Sequence, residues 1–386
     1  MRVARVVMAP PESNNTARPL LHHRVALRRV WVLAFVVTWA PAQAESLDDR
    51  FNAVWESLWY QSGEVLRVRR WPGDIRVRVQ GIDRSTHHER IVKALTLVAG
   101  VAGRTVVDVT DLPHAQQRPN LDVEVVEDGK LQDNFACLVR LERVQNGHIE
   151  KAVLRMRTSM VYHCVLHEVM HAMGIPGHPR ADTVLSYFYQ RVDQITALDR
   201  LILKAWYAPA MRPGAFAMEA LVTLTDAVVQ DDAGATADAR ARQVRFLAQT
   251  IRDMEAFATG QGEVPVVLKR SGTASAEGMR AGRRSMALFL GMAYLNGSGV
   301  AVSNTRAVPW IERSARGGEL GAQMLMGYIH ETGAFGVSAD ASKAYAWYVQ
   351  ASAQGHVAAQ AAAKRVETLL TPEQREQTDT ALPVEP

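Results

Sequence analysis

The sequence predicts an α+β domain followed by an all-α helical-repeat solenoid. Three features point there. Between residues 74 and 157, short segments of alternating apolar and polar residues are interleaved with helical patterning. A helical stretch carrying His167-Glu168-Val169-Met170-His171 comes next. From Ser285 onward, glycines, alanines and tryptophans recur with a period of 36 to 37 residues.

Residues 1–44 read as a signal peptide. Arg24, Arg28 and Arg29 precede an apolar run at 30–40, and Ala42-Gln43-Ala44 is an A-x-A cleavage site. The exported chain, periplasmic or secreted, would start at Glu45. The run is too short for a membrane span, so no stable span is expected after cleavage. A retained, uncleaved helix is the alternative, and translation from Met8 would shorten the leader. The 44 Lys and Arg against 40 Asp and Glu give +4. Six of those arginines and Glu12 lie in the leader, which leaves 38 against 39, or −1. A near-neutral chain offers no electrostatic case for nucleic acid or an anionic membrane as partner.

In chain order, residues 45–214 form the first domain. Residues 47–63 pattern as a helix with Phe51, Val54, Trp55 and Leu58 on one side. Residues 74–81 alternate and read as a half-buried strand. Residues 85–100 read as a helix capped by Ser85, with Ile91, Leu95, Leu97 and Val98 as apolar positions. Strands are expected at 104–109 and 121–126, separated by a polar loop with Pro113 and Pro119. Residues 136–143 and 148–157 read as a strand pair turned at Gln145-Asn146-Gly147, the second strand internal. Ser159 stands where it can cap the following helix.

On that helix His167 and His171 are four apart and share one face, so two imidazoles can reach a single ion. Glu168 is set off around the helix, where a carboxylate reaches a metal-bound water rather than the metal. Gly174 suits the helix end and Pro176 prevents its resumption, so the chain turns and His178 can return as a third ligand. Three protein ligands with one open position is the arrangement of a catalytic zinc site. Asp182 is the substitute third ligand. His163 reads as solvated or as a support behind the ligands, and His148 as solvated. Tyr187 or Tyr189 could stabilise an oxyanion, although burial in the core suits such aromatics better. Cys137 and Cys164, two cysteines in an exported chain, are read as one disulfide. Cys164 as a metal ligand is the weaker alternative.

Residues 183–190 are apolar and aromatic and would pass beneath the metal. Thr196 caps a helix reaching Tyr207, with Leu198, Leu201, Ile202 and Ala205 as its stripe. Residues 215–284 read as an alanine-rich helical connector, with Phe216, Leu221, Leu224 and Val228 at near-helical spacing. In the repeats, 285–370, Leu290-Gly291 recurs as Met326-Gly327, Gly297 as Gly333, Trp310 as Trp347 and Gly318 as Gly355. One residue is inserted near Phe335. Each copy reads as helix, turn, helix, turn, with the tryptophans packing between helices. Residues 358–370 would cap the array, and 371–386 form a polar, mobile tail.

The HExxHxxG core, a third ligand, a turn under the metal and a further helix resemble metzincin-type zinc peptidases. That resemblance implies a metzincin-like fold for the first domain. It also implies one zinc ion on His167, His171 and His178, with Glu168 as catalytic base. The pattern differs at two places. Gly177 stands where the family has its third histidine, and no methionine stands near Leu185. Residues 60–214 more closely resemble an uncharacterised family of secreted bacterial domains with the pattern C…C-x-x-HE-x-x-Q-x-x-G-L-P-x-D. Cys164-Val165-Leu166-His167-Glu168 through Gly174-Ile175-Pro176-Gly177-His178 follows that spacing, with His171 and His178 in place of glutamine and aspartate. The repeats resemble the Sel-one-like class of tetratricopeptide-related repeats, with Tyr294 at the repeat tyrosine and His330 replacing it in the second copy. That resemblance implies a protein partner.

Two functions follow. One is an exported zinc-dependent metallopeptidase acting on a peptide or protein. The other is a non-catalytic envelope scaffold or adaptor, with structural or no metal. Glu168 favours the first, because a structural site needs no carboxylate base beside an open position.

Overall fold

The computed structural model describes residues 45–59, 67–131, 136–186, 194–232, 236–262 and 276–378. The expected signal peptide, together with Tyr187 and Tyr189, lies outside the described residues. Among the described residues no helix is long and apolar enough to cross a membrane.

The first part is a mixed α/β layer. Helix α1 (Leu47–Glu56) opens with a capping box between Ser46 and Asp49 and buries Phe51 and Val54. Next come β1 (Ile75–Gly81), α2 (Arg84–Val101), β2 (Val106–Asp108), the short α3 (His114–Gln117) and β3 (Leu121–Val126). The hairpin of β4 (Cys137–Gln145) and β5 (His148–Arg157) completes a five-stranded sheet in the order β2-β1-β3-β5-β4. All pairs are parallel except β4 with β5. The hairpin turns on Asn146 and Gly147, both left-handed, as a two-residue turn between twisted strands requires. Among the described residues β5 is internal, and β4 and β2 are the edges.

Parallel strands usually have both faces covered by helices. Here the alternation of β1 assigns one face to each kind of residue. Val77 and Val79 are buried on the side of α2 and of α4 (Val161–Ala172). The opposite face carries a cross-strand polar ladder. Asp122 on β3 accepts from Arg78 of β1 at 2.8 Å and from Lys151 of β5. One step along, Glu124 links Gln80 at 3.2 Å to Arg155 at 2.6 Å.

Three expectations are corrected. Asp83, left-handed and without a side-chain cap, precedes α2, so Ser85 lies inside the helix. Leu97 is 37% exposed, because α2 presents Ile91, Leu95 and Val98 to the core and Leu97 falls on the outer side. Ser159 does not cap α4. Strand β5 runs directly into a 3-10 turn at Thr158–Met160, and Met160 before the helix is already helical rather than extended.

The second half is helical. Helix α5 (Ala197–Trp206) carries the expected Thr196 cap. It is followed by α6 (Ala217–Asp231) and α7 (Ala237–Thr259). The repeat region then comprises α8 (Ala276–Asn296), α9 (Asn304–Arg316), α10 (Leu320–Thr332), α11 (Ala341–Ala353) and α12 (Val357–Glu367). A further helix, α13 (Pro372–Thr378), occupies the stretch read as a tail. Gly291 and Gly327, equivalent in the two copies, lie where the helices of each pair touch. A Cβ at Gly291 would stand 2.5 Å from Ile311, and one at Gly327 would stand 2.4 Å from the Tyr348 ring. The inserted residue is absorbed at Phe335, which takes a left-handed conformation. Trp347 is buried, and Trp310 packs half-buried against the main core. That core is one apolar cluster running from Phe51 through α6 and α7 to Ala293 on α8. Phe51 stacks on Phe246 at 5.3 Å, and Trp59 meets Phe257 edge-on at 6.2 Å.

Cys137 and Cys164 form a disulfide that ties the first residue of β4 to the first turn of α4. It closes a loop of 27 residues, for which chain entropy gives about 3–4 kcal/mol of stabilisation. Denaturant unfolding with and without reductant should therefore differ by about that amount. An unchanged midpoint on reduction would contradict the stabilising role.

Candidate metal centre

Helix α4 is buried from Cys164 through Ala172, and its C-terminal carbonyls need partners other than water. Side chains supply them. Trp71 Nε1 donates to the Ala172 carbonyl at 2.9 Å, and the Tyr207 hydroxyl donates to that of Met173 at 2.9 Å. The same hydroxyl accepts from the Trp71 backbone N–H at 3.2 Å. Burial pushes the Tyr207 hydroxyl above its ordinary pKa, which keeps it a donor.

The chain leaves the helix at Gly174, left-handed at φ 97°, where a Cβ would stand 2.0 Å from the Arg69 carbonyl oxygen. Gly177 then presses against the end of α1. Its N–H donates to the Ser57 carbonyl at 2.9 Å, and a Cβ there would stand 2.0 Å from that of Glu56. No histidine fits at position 177, so the third imidazole comes one residue later. The Glu56 carboxylate accepts from the Arg180 N–H at 2.6 Å, and Glu45 accepts from that of Asp182 at 2.9 Å. Helix α1 and the residues before it thus hold the loop that carries His178.

The three histidines named from the sequence come together. Their Nε2 atoms lie 3.1 Å (His167–His171), 3.0 Å (His171–His178) and 3.2 Å (His167–His178) apart. His171 Nδ1 donates to the Ile175 carbonyl at 2.7 Å, and His167 Nδ1 donates to that of Val184 at 2.8 Å. A carbonyl only accepts, so in each neutral ring the proton is on Nδ1 and Nε2 is a bare lone pair. Burial holds the His167 imidazole down at about 4 and pushes His171 and His178 well below the ordinary value, with the neighbouring imidazoles adding to the effect. The rings are therefore neutral near pH 7. A proton on His178 could satisfy one of the inward lone pairs. A cation satisfies all three. Ligand bonds of about 2.0–2.1 Å in a tetrahedron put nitrogens about 3.3 Å apart, close to the spacing found.

Glu168 is fully buried, and among the described residues neither of its carboxylate oxygens has a hydrogen-bond partner. Burial raises it to about 8. It lies outside the cluster of possible ligand atoms, which is His167, His171 and His178. Asp182 is not in that cluster, and Cys164 is excluded as a ligand by its disulfide. His163 is exposed, edge-on to Tyr162, and His148 is half-buried at the start of β5. Residues 183–186 do pass the histidines, with Val184 in contact. Patterning did not single out Trp71, Ile175 or Val184, whose roles come from long-range backbone contacts. An aromatic near the end of a helix, such as Tyr207, was the one available signal.

Residues 44–226 match the family described as "Protein of unknown function (DUF2927)", and residues 285–319 and 321–356 each match the Sel1 repeat. The chain carries a DUF2927 domain and two Sel1 repeats. The match to the first reaches beyond residue 214 into α6. Sel1 repeats suggest a protein-interaction role for the second half. Among solved structures, the chain is similar to a protective antigen present in uropathogenic Escherichia coli strains that displays an SLR fold. The two are 19% identical with a TM-score of 0.25, and the match covers 57% of this chain and 44% of that one. The chain thus spans less than half the length of that neighbour. No curated protein matches it.

Tyr207→Phe removes one hydroxyl that serves two buried backbone groups. It should destabilise the domain by about 1–3 kcal/mol in denaturant unfolding. A change within error would show that the end of α4 is held by packing alone.

Proposed function

We propose that the DUF2927 domain is an exported, metzincin-type zinc-dependent peptidase, and that the Sel1 repeats hold a protein partner or substrate. The observation that carries this is the convergence of three imidazole Nε2 atoms at 3.0–3.2 Å, two of them left without a proton by their Nδ1-to-carbonyl bonds, with a buried carboxylate at the next helix position. Zinc suits the donor set, since imidazole is among its preferred ligands and the thiol nearby is already oxidised. When held by three imidazoles, zinc supplies carbonyl polarisation and a water of lowered pKa. The residues do the rest. His167, His171 and His178 would hold the ion and leave one position open. A cation beside Glu168 favours its carboxylate form. Glu168 then takes the proton of the attacking water and passes it to the leaving nitrogen. Strand β4, an edge tethered to α4 through Cys137, offers backbone groups on which an extended peptide could add as a strand.

One observation favours the scaffold alternative. His167 and His171 are only 2% and 3% exposed, with His178 half-buried, as in a closed structural site. The two readings part at Glu168.

Purified protein should hold about one zinc per chain, and His167→Ala or His171→Ala should lose it by elemental analysis. Unchanged zinc in His167→Ala would remove the triad from metal binding. Glu168→Gln should retain zinc and fold yet lower peptide cleavage by about 10²–10⁴-fold. Equal cleavage by both proteins at matched zinc would exclude Glu168 as the base. Zinc retention without cleavage by the wild type would favour the structural site.

A further inference from the structure

Asp199 is fully buried, and the capping box of α5 explains only one of its oxygens. Oδ2 accepts from the Thr196 N–H at 2.8 Å and from the Thr196 hydroxyl at 3.0 Å, which is the ordinary cap. The same oxygen also accepts from the Val184 N–H at 3.2 Å. Oδ1 accepts from the hydroxyl of Thr183, sixteen residues earlier. That hydroxyl in turn accepts from the Leu185 N–H at 3.1 Å. The Leu185 N–H and the Val184 carbonyl belong to one peptide group, and that carbonyl accepts from His167 Nδ1.

We infer that Asp199 is a positioning residue for the metal centre. It acts on His167 through a continuous hydrogen-bond relay made of the Thr183 hydroxyl and the 184–185 peptide. The inference rests on the metal assignment above and extends it to residues outside the ligand set. Each link runs in one direction. His167 donates to the carbonyl, the peptide N–H donates to Thr183, and Thr183 donates to the carboxylate. Hydrogen bonds in such a chain polarise one another. The negative end at Asp199 therefore makes the Val184 carbonyl a stronger acceptor. A stronger acceptor fixes the ring of His167 and makes its Nε2 a better donor to a cation. His171 has no counterpart. Its acceptor, the Ile175 carbonyl, belongs to a peptide whose nitrogen is that of Pro176 and carries no hydrogen. The two ligands on one helix are thus supported differently, His167 by a buried charge and His171 by the rigid Ile175-Pro176 turn.

The test compares Thr183→Val, Thr183→Ser, Thr196→Ala and Asp199→Asn in the full chain. Zinc affinity is read by chelator competition, and the His167 Nδ1 proton by NMR in metal-free protein. Thr183→Val keeps the shape and breaks the relay. It should weaken zinc binding by about 10- to 100-fold and move the Nδ1 proton upfield. Thr183→Ser restores the hydroxyl and should restore both readouts. Thr196→Ala removes the helix cap and one donor to Asp199 Oδ2 but no link between Oδ1 and His167, so it should lower the unfolding midpoint and change zinc affinity less than Thr183→Val does. If Thr183→Val fails to fold, Asp199→Asn, which keeps an acceptor for Thr183 but removes the charge, should show the same two changes. Unchanged affinity and an unmoved proton in the folded relay variants would overturn the inference. So would an equal loss of affinity in Thr196→Ala. A wild type that holds no zinc would remove the metal assignment, and the Nδ1 proton alone would then decide the relay. Upfield movement in Thr183→Val would support it, and no movement would contradict it.

Discussion

Two hydrogen bonds from ring nitrogens to backbone carbonyls organise the first half of this protein. They run from His167 Nδ1 to Val184 and from His171 Nδ1 to Ile175. Because a carbonyl cannot donate, they determine which nitrogen of each ring carries the proton and turn the bare nitrogen toward the other histidines. Bare nitrogens about 3 Å apart repel unless something positive sits among them. The same burial that keeps the rings neutral leaves His167 and His171 almost without solvent exposure. Much of the surrounding structure is what it takes to hold two carbonyls and one loop in place.

The supports come from distant parts of the chain. Trp71, between α1 and β1, and Tyr207, after α5, close the end of α4. The end of α1 holds the loop bearing His178. The disulfide holds the beginning of α4 to an edge strand. Helix α1 in turn packs on α6 and α7, in the same buried cluster that reaches the first repeat helix. A partner seated on the repeats would therefore lie on an array that shares its core with the domain that carries the histidine triad. This sharing gives a physical reason for the two to occur in one chain.

The sequence made the outline legible where the cause is local. The alternation in β1 and β3 showed one buried face, although not that the strands pair in parallel. The i, i+4 histidines with the Gly174 and Pro176 stop showed which three imidazoles would converge. The 36-residue period showed the helix pairs. What could not be read was set by contacts far apart in sequence. The one-residue offset of His178 follows from Gly177 meeting the end of α1, more than a hundred residues earlier. The acceptor for His167 is a backbone carbonyl, and a backbone group leaves no trace in composition. Ser85 and Ser159 have the right residue type for caps, but the backbone entering α2 and α4 is left-handed in one case and already helical in the other.

In the proposed function the histidine triad holds one cation with a fourth position left open. X-ray absorption at the zinc edge, on protein reconstituted with one equivalent and dialysed, addresses it directly. Three imidazole nitrogens at about 2.0–2.1 Å and one exchangeable oxygen are expected in the zinc shell. A shell containing sulfur, a shell with fewer than three imidazoles, or a protein that retains no zinc would contradict it.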